Sequence, residues 1–323
     1  MQAFRFTQPK TIDAALDPGS RFVAGGTTLI DLMKLNVETP DAVVDINRLP
    51  LARVEASPDG GLKIGALVRN SDLANHPDVK ARYSVLSEAL LSGASPQLRN
   101  MATTGGNLLQ RTRCYYFRDT EYSCNKRQPG SGCSAIDGFN RIHAVLGGSE
   151  QCVATHPSDM AVAMMALEAT VHTRTAKAER TLALDDFYLT PGSTPDRENI
   201  LHPGELITYV TLPKLPTDTR SHYLKLRDRA QYEFALASAA VVLTLEGRRI
   251  RRARIALGGV ATKPWRSREA ETALEGKPAD VRHFHAAAEA ALRDAKPLRD
   301  NAFKIKLAKL VLVRALTVTA QTA

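Results

Sequence analysis

The amino-acid sequence predicts an α+β protein with two domains, and three observations support that prediction. The chain has 323 residues, which is enough for two domains of ordinary size. In its last third, strand-like runs are followed by segments of helical periodicity, a pattern typical of a sheet with helices on one face. Just before that third, residues 213–218 carry two prolines and little apolar character, so we expect a linker and the main domain boundary there.

The first part of the chain alternates short strands, turns and helices. Strands are predicted around Phe4 and Phe6, over 21–24 and 42–46, and in a hairpin over 54–66. Helices are predicted after a Thr11 cap, over 29–34, after a Ser71 cap, and over 85–91. Further on we expect strands over 145–148, 152–155, 170–173, 180–184 and 205–212, with a helix over 160–167.

The last third contains three strand-like runs, over 223–227, 235–245 and 250–257, and these predict a three-stranded sheet. Helical spacing follows over 267–274, 281–292 and 301–316, and Asp300 is the expected cap of the last helix.

Composition excludes some functional classes. The hydrophobic share of 44% is ordinary for a globular protein, and no stretch approaches the roughly 20 apolar residues that span a bilayer. The first residues have no apolar run after Arg5, so we expect no cleaved signal peptide on this chain. The expected location is therefore the cytoplasm, or the periplasm by export together with a partner that carries a signal.

The net charge is +9, and the densest basic run comprises Arg248, Arg249, Arg251, Arg252 and Arg254. Such a run would suit an acidic partner or nucleic acid, but alternation of apolar residues over 253–257 favours a solvated strand. Since aromatic residues do not interleave with the arginines, we expect no nucleic-acid binding.

Two glycine-containing turns are candidate phosphate sites. Gly25 and Gly26 stand between a predicted strand and a predicted helix, where backbone N–H groups can bind an anion. The spacing is not G-x-G-x-x-G, and on spacing alone this is more often a tight turn. The second turn, over 103–107, brings hydroxyls and backbone N–H groups together, and we expect those N–H groups to form an anion-binding concavity.

All four cysteines lie between Cys114 and Cys152, in and after a segment over 111–138 that is poor in aliphatic residues. Thiolates are soft ligands for zinc, copper(I) or iron–sulfur clusters. The spacing lacks C-x-x-C, so it fits neither a zinc ribbon nor a bacterial ferredoxin run. From the residues alone, a metal site and buried structural cysteines remain about equally supported, and two disulfides would require an oxidising compartment.

Little else in the chain suggests catalysis. The sequence contains no G-x-S-x-G motif and no usual zinc-hydrolase pattern. His143 and His156 are read as structural histidines, Asp159 as a helix-opening carboxylate, and Lys225 and Arg227 as solvated strand residues.

Three motifs carry a resemblance to a known family. They are Ala24–Leu29 (AGGTTL), Ala102–Asn107 (ATTGGN) and Pro157–Asp159 (PSD). Together they resemble the FAD-binding subunit of the molybdenum hydroxylases, the superfamily of xanthine dehydrogenase and carbon monoxide dehydrogenase. The four-cysteine insertion is similar to that of the medium subunit of bacterial three-subunit aldehyde oxidoreductases of the periplasmic type, which carries FAD and a [4Fe–4S] cluster.

The resemblance implies a two-subdomain FAD-binding fold, like that of vanillyl-alcohol oxidase, over residues 1–215. Its subdomains would cover about 1–55 and 56–215, with a cysteine-rich cluster loop at 111–152. Residues 219–323 would form a C-terminal domain of the carbon monoxide dehydrogenase flavoprotein type. One small departure is Thr28, where close relatives often have Asn.

The resemblance also implies the binding residues. Those expected at FAD are Val23, Ala24, Gly25, Gly26, Thr27, Thr28, Leu29, Ile30, Gly93, Thr103, Thr104, Gly105, Gly106, Asn107, Asp159, Leu206 or Ile207, and Lys225. The ligands expected for the [4Fe–4S] cluster are Cys114, Cys124, Cys133 and Cys152.

The implied function is an electron-transfer flavoprotein subunit of a molybdenum-dependent aldehyde oxidoreductase. Its partners would be a large subunit with the molybdenum cofactor, a small [2Fe–2S] subunit and an external electron acceptor, and no catalytic residue would be needed on this chain. The alternatives are a stand-alone FAD oxidoreductase of the same superfold, and a flavin-free subunit with a four-cysteine zinc site.

Overall fold

Three sheets form the framework of residues 1–321, the part of the chain that the computed structural model describes. The first sheet has parallel strands in the order β1-β3-β2, and the second is antiparallel in the order β4-β5-β8-β6-β7. The third is antiparallel in the order β12-β11-β10-β9. The strands are β1 Arg5–Thr7, β2 Arg21–Val23, β3 Ala42–Asp45, β4 Val54–Ala56, β5 Leu62–Gly65, β6 Thr170–Arg174, β7 Glu179–Ala183, β8 Leu206–Leu212, β9 Thr219–Leu226, β10 Ala237–Glu246, β11 Arg249–Gly258 and β12 Trp265–Arg266.

The helices cover the sheets and the connections between them. They are α1 Ile12–Ala15, α2 Leu29–Lys34, α3 Asn70–Asn75, α4 Pro77–Arg82, α5 Ser84–Ser92, α6 Pro96–Met101, α7 Thr104–Leu108, α8 Tyr115–Arg118, α9 Ser134–Asp137, α10 Asp159–Ala166, α11 Leu184–Phe187, α12 Arg268–Leu274, α13 Val281–Ala291 and α14 Phe303–Gln321. Across residues 1–321, none of them combines the length and the apolar character that crossing a membrane requires.

The third sheet has four strands, so the expectation of three was wrong. The missed strand, β12, contains only Trp265 and Arg266, which pair with Leu257 and Ala256 of β11. Two residues that directly follow a proline show no periodicity, and for that reason the sequence pattern did not reveal the strand.

The third sheet is buried on both faces. Val241 and Leu243 of β10 lie in a core with α12, α13 and α14, whereas Ala240 and Val242 belong to a core with α5 and α10. Nine of the ten β10 residues are therefore buried, and the strand reads as one apolar run. The predicted helices do lie on one face, and the first part of the chain covers the other.

Several local predictions were wrong for identifiable reasons. Residues 145–148 and 152–155 form only isolated bridges rather than strands. In the first segment the N–H groups of Val145 and Leu146 both donate to the Val260 carbonyl, and in the second Cys152 pairs only with Ser149. The 103–107 turn is mostly the short helix α7. Ser71 lies inside α3, and Asp300 accepts a hydrogen bond from the backbone N–H of Asn140, 3.3 Å away.

Two of the five arginines of the basic run form ion pairs within the protein. Arg252 and Arg254 of β11 form ion pairs with Glu168, at 3.1 and 2.7 Å, and Arg266 of β12 binds the same carboxylate at 3.1 Å. Glu168 follows α10, so this cluster joins the third sheet to the first part of the chain.

Candidate functional site

A cleft of about 730 Å³ lies where the first sheet meets the second. This volume is in the range typical of sites for small molecules and cofactors. Its lining includes residues 18–29, parts of α7, and residues 196–207, which precede and begin β8. We call it the first cleft.

The glycine loop between β2 and α2 forms one wall of the first cleft. Gly26 has a φ of +72°, a conformation that side chains other than glycine rarely adopt. A Cβ on Gly25 would lie 1.8 Å from the Met101 carbonyl oxygen at the end of α6. Asn47 fixes the loop from below, since its side-chain amide donates to the Ala24 carbonyl at 2.9 Å. Glycine is thus required at both positions, and the loop presents backbone rather than side chains to the cleft.

The second glycine loop works differently from the sequence expectation. Its N–H groups do not form an open anion concavity, because long-range and capping partners already bind them. Thr104 N–H donates to the Val68 carbonyl at 2.9 Å and Gly105 N–H to the Ala66 carbonyl at 2.8 Å. Gly106 N–H donates to Thr103 Oγ1 at 3.3 Å. A Cβ on Gly105 would also lie 3.0 Å from Ala66 Cβ, so this glycine serves close packing of the cleft wall.

The wall over residues 196–207 includes residues that the sequence analysis missed. Glu198 is bound by Arg111 Nε at 2.6 Å and by Lys126 Nζ at 3.1 Å, and Arg111 also binds Glu38 at 2.5 Å. Burial alone would raise the pKa of Glu198, but Arg111 and Lys126 hold it below its usual value. The available signal was weak: two Pro-Gly pairs, at 191–192 and 203–204, bracket this charged segment.

A second cleft, of about 570 Å³, lies beside α2 and the start of the cysteine segment. Asp159 and Ser158 line it from the start of α10, and Phe234 and Ala235 line it from the connection between β9 and β10. Ser158 caps α10 and also donates to Asn107 Oδ1 at 2.5 Å, which links this cleft to the second glycine loop.

Asp159 is the centre of a buried polar group. Its Oδ1 accepts from the Tyr223 hydroxyl at 2.6 Å, and its Oδ2 pairs with Lys225 Nζ at 2.8 Å. Lys225 also donates to the Ser92 carbonyl at 3.1 Å. Burial and the neighbouring carboxylate raise the pKa of Tyr223 well above its usual value, so its hydroxyl stays protonated. A Cβ on Gly93 would approach Asp159 Oδ2 to 3.2 Å, so this position suits glycine.

The structure distributes the expected flavin residues over these regions. Those that line the first cleft are Val23, Ala24, Gly25, Gly26, Thr27, Thr28, Leu29, Thr103, Gly105, Gly106, Leu206 and Ile207. Asp159 lines the second cleft, and Gly93, Asn107 and Lys225 adjoin Asp159 or Ser158. Ile30 lies on α2, and Thr104 is fully buried behind the wall.

The four cysteines come together in one small core. Cys114, Cys124 and Cys152 are buried and Cys133 is partly buried, packed with Phe117 and other apolar residues. All four are free thiols. Burial raises the pKa of the Cys114 thiol to about 12 and also raises those of Cys133 and Cys152. Those three thiols therefore stay protonated, and thiols are the donor type that soft metal centres use once deprotonated.

Backbone hydrogen bonds fix the cysteine segment although it has little regular structure. Asn125 N–H donates to the Gly132 carbonyl at 2.7 Å, and Gly132 N–H donates to Asn125 Oδ1 at 2.8 Å. The Arg127 guanidinium donates to the carbonyls of Tyr116 and Phe117, both at 2.9 Å. These contacts make the segment an ordered loop.

The cysteine side chains are not gathered around a single point. A closed zinc site holds its sulfur ligands at about 2.3 Å from one ion. Within residues 1–321, no three His, Cys, Asp or Glu side chains are close enough together to hold one ion. Four thiols match the ligand number of both a closed zinc site and a larger iron–sulfur cluster, so the number of donors does not separate the two.

Comparison with known families covers nearly the whole chain. Residues 2–215 match the family described as the FAD-binding domain in molybdopterin dehydrogenase, and residues 222–319 match the carbon monoxide dehydrogenase flavoprotein C-terminal domain. The segment between the two matches, residues 216–221, overlaps the predicted linker over 213–218 and includes the start of β9.

Among curated proteins, the chain is 52% identical to the aldehyde oxidoreductase FAD-binding subunit PaoB of Escherichia coli (strain K12), over 98% of each chain. It is 28% identical to the carbon monoxide dehydrogenase medium chain of Hydrogenophaga pseudoflava, over 92% of this chain and 88% of that one. Among solved structures, a chain of reconstituted carbon monoxide dehydrogenase from Oligotropha carboxidovorans superimposes with a TM-score of 0.78 and 26% identity, covering 100% of this chain and 99% of that one.

Proposed function

The chain belongs to the FAD-binding medium subunits of the molybdenum hydroxylases, and from that premise we propose that it is the electron-transfer subunit of an aldehyde oxidoreductase with a second redox centre of its own. In this proposal, FAD receives electrons that originate at a molybdenum centre on a large partner subunit and pass through a small [2Fe–2S] subunit. An external acceptor then takes them from this chain. The aldehyde specificity is inferred from the 52% identical relative.

The observation that carries the proposal is the first cleft with its glycine loop. A pyrophosphate needs backbone N–H donors at close range, and Gly25 and Gly26 allow that approach because neither carries a Cβ. We propose that the cofactor continues toward Asp159, whose carboxylate Tyr223 and Lys225 hold in a fixed orientation. These residues bind and orient the cofactor, while the bound flavin supplies the redox chemistry.

We further propose that Cys114, Cys124, Cys133 and Cys152 hold a [4Fe–4S] cluster. The support is the donor set, which consists of four free thiols in one small core on an ordered loop. Lys126 links this loop to the wall of the first cleft through Glu198, so both proposed cofactors lie against one charged network.

Cofactor content of the intact complex tests the proposal directly. The complex is purified anaerobically with its partner subunits, and flavin, iron, acid-labile sulfide and zinc are assigned to subunits after separation. We expect one FAD and about four iron and four sulfide on this chain, as four cysteine ligands permit. Flavin without iron would restrict the proposal to a simpler flavoprotein, and zinc without flavin would overturn it.

A Cys124→Ser variant separates the two cofactors. We expect this chain to lose its iron, since a serine hydroxyl is a poor substitute for a soft thiolate, and to keep most of its flavin, because Cys124 does not line the first cleft. Glu121→Gln, an exposed change in the same loop, is the matched control and should retain both. Equal loss of flavin and iron in Cys124→Ser would indicate that the loop supports the whole fold and that the cofactors are not separable.

A further inference from the structure

A buried histidine contacts one of the four cysteines. His143 Nε2 lies 3.1 Å from Cys114 Sγ, and the His143 side chain is 1% exposed. The other ring nitrogen, Nδ1, is buried and has no hydrogen-bond partner among the described residues. The contact with sulfur is therefore the one polar interaction that the structure records for this ring.

The position of the ring proton follows from these contacts. A neutral imidazole carries one proton, on either Nδ1 or Nε2. A proton on Nδ1 would leave a buried N–H without an acceptor, which proteins rarely tolerate. A thiolate that ligates iron offers only lone pairs, so a bond between the two requires the proton on Nε2. A doubly protonated ring would donate from the same nitrogen.

The beginning of α14 holds His143 in place. Lys304 Nζ donates to the carbonyls of Ile142 and His143, both at 2.9 Å, and Asn301 Nδ2 donates to the His143 carbonyl at 3.2 Å. The His143 N–H donates to the Asn140 carbonyl at 3.0 Å. The backbone on either side of the ring is thus fixed, and the imidazole has little freedom to leave the sulfur.

We propose that His143 sets the reduction potential of the metal centre on Cys114 by donating its Nε2–H to the ligand sulfur. The inference rests on the proposed function, because it needs the [4Fe–4S] cluster. A hydrogen bond to a thiolate ligand withdraws negative charge, and so it stabilises the reduced cluster, whose charge is more negative. His143 acts through Cys114 and is a positioning and tuning residue rather than a ligand.

The test is a potentiometric titration of the intact complex followed by electron paramagnetic resonance. His143→Phe removes the donor and should shift the midpoint potential of this cluster to a more negative value. His143→Gln keeps an N–H donor of similar reach and should restore most of the wild-type potential. His172→Phe is the control, because His172 lies on β6 of the second sheet and stacks on Tyr209, and this variant should leave the potential unchanged.

A spectroscopic measurement on the wild-type protein tests the same hydrogen bond even where a variant misfolds. With ¹⁵N-labelled histidine, the reduced wild-type cluster should show a weak coupling to one imidazole nitrogen, and His143→Gln should lose it. Absence of that coupling, or an unchanged potential in an iron-replete His143→Phe, overturns this inference while the proposed function stands. Absence of iron from the wild-type chain overturns this inference together with the proposed cluster, and restricts the proposed function to a simpler flavoprotein.

Discussion

Substituting Gly25 by alanine should weaken FAD binding more than any other glycine-to-alanine change in the first cleft. The new Cβ would lie 1.8 Å from the Met101 carbonyl oxygen, and must move by about 1.6 Å to reach the 3.4 Å of an ordinary contact. The carbonyl cannot easily retreat, because it ends α6 and accepts a hydrogen bond from the Arg69 guanidinium. The glycine loop must therefore shift, and with it the backbone that faces the cleft.

The size of the effect follows from the cost of overpacking. Inserting a methyl group into a closely packed site costs about 1–3 kcal/mol. If the loop must bear that strain to hold its binding conformation, the dissociation constant of FAD rises by about 5- to 140-fold, at about 1.4 kcal/mol per factor of ten. Flavin retained per chain and rebinding of FAD to stripped complex, followed by flavin fluorescence, measure it.

Two other glycines of the same cleft calibrate the experiment. A Cβ on Gly19 would meet its nearest atom, Asp17 Oδ1, at 3.5 Å, which is an ordinary contact. A Cβ on Gly106 would meet Thr103 Oγ1 at 2.9 Å, and that hydroxyl can rotate away. We expect wild-type affinity for Gly19→Ala and an intermediate loss for Gly106→Ala. Wild-type affinity in Gly25→Ala, or an equal loss in Gly19→Ala, would refute the reasoning.

Two further predictions concern stability. Asp159→Ala leaves the Lys225 ammonium buried without its counter-charge and should destabilise the protein by about 3–5 kcal/mol, measured as a lower thermal midpoint. Tyr223→Phe removes only one hydrogen bond and should lower the thermal midpoint less. An equal drop in the two variants would contradict this account. Burial lowers the pKa of Lys304 from 10.5 to about 7, so the unfolded chain binds more protons between those values and stability rises with pH across that window. Lys304→Met should remove that slope from urea-unfolding free energies, and an unchanged slope would show that Lys304 is not its source.

Local patterns in the sequence were sufficient for features that depend on neighbouring residues. The strand, glycine turn and helix over 21–34 were predictable because alternation, turn chemistry and helical spacing succeed one another within that short segment. The linker over 213–218, inferred from its prolines, stays a prediction. The joint location of the cysteines followed from their confinement to the 39 residues from Cys114 to Cys152.

Features that depend on contacts between residues far apart in the sequence could not be predicted from local patterns. The N–H groups of Thr104 and Gly105 in α7 donate to the carbonyls of Val68 and Ala66. No local pattern associates those two carbonyls with the Thr-Thr-Gly-Gly-Asn sequence. The wall over 196–207 has no motif, and becomes part of a site only because the chain folds it against the glycine loop. The contact of His143 with Cys114 crosses 29 positions of irregular chain and likewise has no periodic signal.

The hydrogen bonds that Lys304 of α14 donates to the carbonyls of Ile142 and His143 have a consequence for biosynthesis. Ile142 and Lys304, which share a hydrogen bond, are 162 positions apart in the chain. At about 5–20 residues per second, translation needs roughly 8 to 32 seconds to deliver Lys304 after Ile142. For that interval the nascent cysteine segment lacks the hydrogen bonds that Lys304 donates to the carbonyls of Ile142 and His143. Residues 142 and 143 therefore obtain these hydrogen bonds only after the beginning of α14 has been synthesised.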